Sequence, residues 1–203
     1  MCGIAGLIHK GKTVKIGYEL QNMLQALKHR GPDSTGFALY GEGHNDDYIM
    51  RFKVGENVKE GSSAVNEEKS VYDSRKKQVD AHLIELGAEV VKEEQITPYS
   101  FKYIMKYDGD LMEFSKTIES VEMAEILSIG KHLELVKDIG DAEVVSKQYS
   151  LDQIKGTHAI GHTRMATESG VDIRSAHPFW GYPFSDVSVV HNGQLTNYWN
   201  NRR

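Results

Sequence analysis

A single cysteine, Cys2, stands in a chain of 203 residues, so no internal disulfide can brace the fold. Whatever forms must rest on buried apolar surface. At 39% apolar and 26% charged, the chain has the composition of an ordinary globular protein and length enough for one or two cores. The same thiol, followed by Gly3-Ile4-Ala5-Gly6, is either small buried filler at the start of a strand or a reagent. Loss of Met1 would give Cys2 a free α-amino group, whose ordinary pKa of about 7.7–8.0 suits a base near neutral pH. Thiol and amine on one residue make a compact nucleophile–base pair. Position alone does not choose between the two readings.

Charge and hydropathy exclude some classes. A net charge of -5 and a pI near 6.0 argue against a binder of nucleic-acid phosphates. No apolar run reaches the length of a membrane span, and the start lacks the basic region of a signal peptide. The cytoplasm is the expected compartment, and a free nucleophilic thiol suits it.

Periodicity then lays out the elements. Cys2 to His9 suits a strand, and Ile16, Leu20, Met23, Leu24 and Leu27 recur at helical spacing. Lys28, His29 and Arg30 favour the end of that helix, which Gly31-Pro32 stops. Thr35 to Tyr40 reads as a strand, and Gly41 to Asp47 as a turn cluster where the composition changes. From Tyr48 to about Gly130 the order is β-α-β-β-α-β, which is ferredoxin-like. Within it, Tyr99, Phe101, Tyr103, Met105 and Tyr107 alternate along one half-buried strand. Asp110 with Glu113 has the form of a capping box. Leu133–Lys137 reads as an added hairpin strand, and Asp141 to Gly156 leads back out of the insertion. The charged runs Glu67-Glu68-Lys69 and Arg75-Lys76-Lys77 read as solvated helix faces.

Three further segments bear on Cys2: His29-Arg30-Gly31-Pro32-Asp33-Ser34-Thr35-Gly36, Gly161-His162-Thr163-Arg164-Met165-Ala166-Thr167, and His191-Asn192-Gly193-Gln194-Leu195-Thr196-Asn197. With Met1-Cys2-Gly3-Ile4-Ala5-Gly6 and the intervening Ala176-His177-Pro178-Phe179, their order closely resembles the signature of the class II glutamine amidotransferases. These are N-terminal-nucleophile hydrolases that release ammonia from glutamine. The tail from His191 and the long central insertion look most like the separate amidotransferase subunits related to glutamate synthase.

The resemblance implies an α+β fold: a partial αββα N-terminal-nucleophile hydrolase carrying an inserted ferredoxin-like βαββαβ subdomain. Residues 1–43 would be the first part of the amidotransferase domain and 44–154 the insertion with its return linker. Residues 155–203 would be the second part of the domain. The resemblance makes Cys2 the nucleophile and puts the Asn192 amide and the Gly193 N–H in an oxyanion hole. Such donors are each worth about 2.7–4 kcal/mol of barrier. It places Arg30 and Gly31 in a loop over the nucleophile, and assigns Arg164, Thr167 and His191 to glutamine binding. A planar arginine fork suits an α-carboxylate. Asp33 is expected to brace the loop rather than react. The implied partners are glutamine and a synthase subunit, glutamate-synthase-like, that receives the ammonia. No cofactor or metal, no nucleic acid and no membrane is implied. The family continues beyond the His-Asn-Gly segment, so the chain reads as a truncated form with negligible turnover by itself.

Rival readings sit beside this one. Gly6-Leu7-Ile8-His9-Lys10-Gly11-Lys12-Thr13 matches the P-loop pattern of nucleotide hydrolases, but Leu7-Ile8 looks like continuing strand. The ferredoxin-like unit could be a ligand-binding or docking module without catalysis, and its aromatic strand could stack RNA bases. The acidic balance argues instead for a core-facing stripe. His158 and His162 have the spacing of a helical zinc pair. On a strand, four residues span roughly 13 Å and one ion cannot bridge them.

Overall fold

The computed structural model describes residues 2–56, 68–165 and 173–193. The architecture is mixed, with helices packed on antiparallel sheets, as an α+β reading requires. The first sheet holds β1 (Gly3–Ile8), β2 (Ser34–Gly41), β7 (Leu133–Ile139) and β8 (Gly156–Arg164) in the order β1-β8-β2-β7. Strand alternation gives it two unlike faces. Ala5, Phe37, Leu39, Val136 and Ala159 meet helices α1 (Ile16–Ala26) and α4 (Ala142–Tyr149), where Ile16, Leu20, Leu24 and Val145 are fully buried. On the other face, Ala38, Leu133 and Leu135 pack with Leu127 and Trp180. Towards β1 that face carries Ile4 and Ile8, both exposed.

The second sheet is built from β3 (Tyr48–Lys53), β4 (Glu89–Thr97), β5 (Ser100–Lys106) and β6 (Glu125–Gly130), in the order β4-β5-β3-β6 with every neighbouring pair antiparallel. Helices α2 (Lys69–Glu85) and α3 (Leu111–Ile118) cover one face. Phe52, Phe101, Tyr103 and Met105 are fully buried there with Val79, Phe114 and Ile118. The aromatic strand therefore faces its own core rather than a ligand. Asp110 caps α3 as its spacing predicts, its Oδ1 accepting from the Met112 and Glu113 amides at 2.7 and 2.9 Å. A two-stranded ribbon, β9 (Phe179–Trp180) with β10 (Ser188–Val189), lies beside β6.

Four sequence expectations need revising. Leu133–Lys137 is not a hairpin strand of the second sheet, because β7 pairs with β2 from Ser34–Ile139 to Tyr40–Leu133. The strand expected over Ala88–Val91 runs on to Thr97, since β5 offers a partner along its whole length. Arg75 is not on a solvated face: it is buried, with Nη1 donating to the Val54 carbonyl at 3.2 Å. The P-loop reading also fails. Gly6, Leu7 and Ile8 lie in β1, paired with Ile160, Ala159 and His158, so their backbone serves a sheet and cannot cradle phosphate.

The two sheets meet through charge. Glu134 accepts from Arg51 at 2.6 Å and from Lys102 at 2.9 Å, while Glu125 lies 3.1 Å from Lys53 and 3.0 Å from Lys137. Nearby, Asp138 Oδ2 accepts from the hydroxyls of Tyr99 and Tyr149 at 2.9 and 2.8 Å. Burial, and then the Asp138 charge, raise both phenols above their ordinary range.

Candidate active site

Three distant stretches of chain converge on Cys2. It precedes β1, whose register sets Gly3 opposite Thr163, and the next step along β8 is Arg164. By alternation Cys2 shares the helix-free face with His162 and Arg164. Arg30 Nε donates to the Cys2 carbonyl at 3.2 Å, and Asn192 Nδ2 donates to the same oxygen at 3.1 Å. Residues 28, 162 and 190 positions apart, or nearly so, are thus gathered by one strand pairing and two side-chain hydrogen bonds. Cys2 itself is half-buried.

Arg30 reaches this point because α1 is followed by a 3-10 turn, Lys28–Arg30, that carries the chain back over the strand ends. Gly31 then lies flat against β8: a Cβ there would stand 2.6 Å from the carbonyl carbons of Thr163 and Arg164. Its φ of -167° is ordinary extended backbone, so close approach is what demands glycine. The Asp33 amide donates to the Arg164 carbonyl at 3.1 Å, and the Gly140 amide donates to the Asp33 carbonyl at 3.1 Å. Asp33 thus links the loop to both β8 and the end of β7 through its backbone.

Arg164 is 8% exposed at the end of β8. His191, Asn192 and Gly193 are all exposed at the surface near Cys2. Asn192 uses its amide on the Cys2 carbonyl rather than on an open position. Thr167 lies outside the described residues.

A group of imidazoles lies close to these residues: His191, expected at the substrate, and His162 and His177, which the motifs contain without a role. The His162 and His177 rings are 4.7 Å apart, and His177 stands 4.5 Å from Phe179 and 6.4 Å from His191. Burial holds His162 at about 4 and His177 at about 3, so both rings are neutral near pH 7. Both His162 nitrogens, His177 Nδ1, Thr163 Oγ1 and Ser34 Oγ are buried without a protein hydrogen-bond partner. The available signal was the position of His162, two residues before Arg164 on one strand. His158, the other half of the supposed zinc pair, stacks on Tyr40 at 4.1 Å from its strand position. Among the described residues no group of three or more His, Cys, Asp or Glu side chains could hold a metal.

A half-buried thiol on a residue whose carbonyl is held by a guanidinium and an amide suits nucleophilic attack on an amide or ester carbonyl. Comparison with known proteins agrees with that class. A protein of Methanothermobacter thermautotrophicus named as a glutamine amidotransferase is 38% identical over 208 residues, covering 98% of this chain and 63% of its own length. The glutamine amidotransferase-like protein GlxB of Rhizobium meliloti is 30% identical over 208 residues, covering 100% of this chain and 62% of its own. Chloroplastic amidophosphoribosyltransferase 2 of Arabidopsis thaliana is 38% identical over 80 residues, 38% of this chain and 14% of that protein. No protein-family model matches the chain.

Its homologues carry the name glutamine amidotransferase, and the shorter matches fall on amidophosphoribosyltransferases and glutamine–fructose-6-phosphate aminotransferases, which are class II, N-terminal-nucleophile glutamine amidotransferases. The chain spans 63% and 62% of the lengths of the two relatives that it matches from end to end. Among the described residues no helix is long and apolar enough to cross a membrane.

Proposed function

We propose that the protein is the glutamine-hydrolysing component of an amidotransferase and that Cys2, freed of Met1, is its nucleophile. The Cys2 α-amine takes the thiol proton as sulfur attacks the side-chain amide carbon of glutamine. The C–N bond then breaks, the amine returns the proton to nitrogen, and ammonia leaves a thioester. Water attacks the thioester, releasing glutamate and regenerating the thiol. Asn192 Nδ2 and the Gly193 N–H stabilise the oxyanion of each tetrahedral intermediate. Arg164 holds the substrate carboxylate, with Thr167 and His191 at the same substrate, and Arg30 and Gly31 form the loop over Cys2. The observation that carries this reading is the convergence of Arg30 and Asn192 on the Cys2 carbonyl.

The finer assignments follow the same line. The βαββαβ order of the second sheet supports a ferredoxin-like subdomain inserted within 44–154, between domain parts 1–43 and 155–203. The pairing of β7 with β2 supports a return to the first sheet within 44–154, from about Leu133 onward. Ammonia would pass to a synthase partner, glutamate-synthase-like, in the cytoplasm.

Labelling of the protein with a chloroketone analogue of glutamine, read by intact mass, tests the site. The expected result is a species lacking Met1 with one adduct, formed more slowly when glutamine is present. Cys2→Ala should abolish the adduct, and in the chain extended to the length of its relatives it should lower ammonia release by at least about 10³-fold. An adduct retained in Cys2→Ala, or quantitative retention of Met1, would overturn the mechanism.

A further inference from the structure

A cleft of about 380 Å³ opens where the second sheet meets the end of α4, away from Cys2. Arg51 and Lys102 line it with Ile96, Tyr149, Ser150 and Ile154. Arg51 is 3% exposed and forms the floor. Its Nε and Nη2 both donate to Glu134 Oε2, while Nη1 has no hydrogen-bond partner. Lys102, more open than Arg51, donates to Glu134 Oε1. Two cations therefore share the Glu134 carboxylate at a cleft that opens to solvent, with Glu94 on the same lining. A buried guanidinium with an unused donor is costly to maintain, and an anion would relieve that cost.

The field of this pair extends across the cleft. Glu94 at the rim has its carboxyl lowered, first by its hydrogen bond to Lys92 and, against some burial, also by Lys102 and Arg51. Ile96 and Ile154, both half-buried against the core of the first sheet, supply an apolar wall beside the charge. Convergent charged and polar groups beside a short apolar wall are what small-molecule sites use to fix a ligand's orientation. We propose that this cleft binds a small organic acid, its carboxylate on the Arg51–Lys102 pair and its short hydrocarbon body against Ile96 and Ile154. Such a ligand would touch β3, β4, β5 and the residues following α4 at once, and so tie the two sheets together at their seam. The site is independent of the chemistry proposed at Cys2.

Titration calorimetry of the protein with succinate, and with neutral succinamide as control, tests this. Succinate should bind saturably with a dissociation constant of about 1 mM or tighter, and succinamide should give no saturable heat. Lys102→Gln keeps the Arg51–Glu134 pair and should weaken succinate at least about tenfold. Gln95→Trp, at an exposed position on the cleft lining, should block entry without touching the core. Absence of saturable binding at 10-fold the expected constant, equal binding of succinamide, or unchanged affinity in either variant would overturn the proposal.

Discussion

Cys2 and Arg164 look like isolated choices along the chain, yet both lie among residues whose contribution is indirect. Gly31 works by lacking a side chain against β8, and His162 by staying neutral beneath Arg164. The depressed pKa of His162 has a stability consequence. The unfolded chain takes up this proton near pH 6.5, whereas the folded chain resists it until about pH 4. Acid therefore favours the unfolded state across that window. Stability should be full above pH 6.5, fall as the pH drops towards 4, and level off for this group below that. His177, held at about 3, extends the same trend further. Urea midpoints measured from pH 7.5 to 4 should decline, and His162→Gln should flatten the slope. A midpoint independent of pH in the wild type would mean that these rings are not buried neutral.

At the scale of elements, helix α1 reads from its heptad-like apolar spacing, but its packing does not. Gly17 lies in its first turn, where a Cβ would stand 1.8 Å from the Leu151 carbonyl oxygen. By propensity alone Gly17→Ala should stabilise the helix by about 0.8–1.0 kcal/mol. The clash is with backbone and cannot be relieved by a rotamer change, so the sign should reverse, with a loss of about 1–3 kcal/mol from overpacking. Chemical denaturation of the variant decides between the two. A gain in stability would mean that the turn after α4 yields easily. The elements themselves were largely legible. Strands β1, β2, β3 and β5 and helix α3 lie where alternation, periodicity and the Asp110 cap put them. β4 was read short because Lys92, Glu93, Glu94 and Gln95 lack apolar alternation. It forms because β5 supplies partners for its backbone.

Across the whole molecule, the seam between the sheets joins buried ion pairs to the apolar contact of Leu127 with Ala38, Leu133 and Leu135. Arg51, Lys53, Lys137 and Glu134 are each nearly fully buried, and none of them has a sequence neighbour that announces this. Burial pushes the Glu134 carboxyl up, but Arg51 and Lys102 outweigh it and hold the group at about 2. Removing the shared carboxylate would strand two cations. Glu134→Ala should therefore cost about 3–5 kcal/mol at pH 7. The wild type should lose this contribution as the pH falls from about 4.5 towards 2, because the folded-state pKa lies below the unfolded one. Equilibrium unfolding of Glu134→Ala within 1 kcal/mol of wild type would show that water, not protein, satisfies Arg51 and Lys102.

The sequence by itself determined the mixed α+β class, the strand and helix periods, the lone thiol at position two and the ordered motifs that mark the amidotransferase resemblance. All of these are local: spacing along the chain and the identity of neighbours suffice to read them. Tertiary structure decided what depends on non-local pairing. β7 reads from the sequence as a hairpin strand added after β6, and only the register from Ser34 to Tyr40 assigns it to the first sheet. Arg75 and Arg51 look like surface cations until a carbonyl and a carboxylate from distant strands close over them. The meeting of Arg30 and Asn192 at the Cys2 carbonyl is of the same kind. No spacing encodes it, because the intervening chain first has to build a second sheet and return.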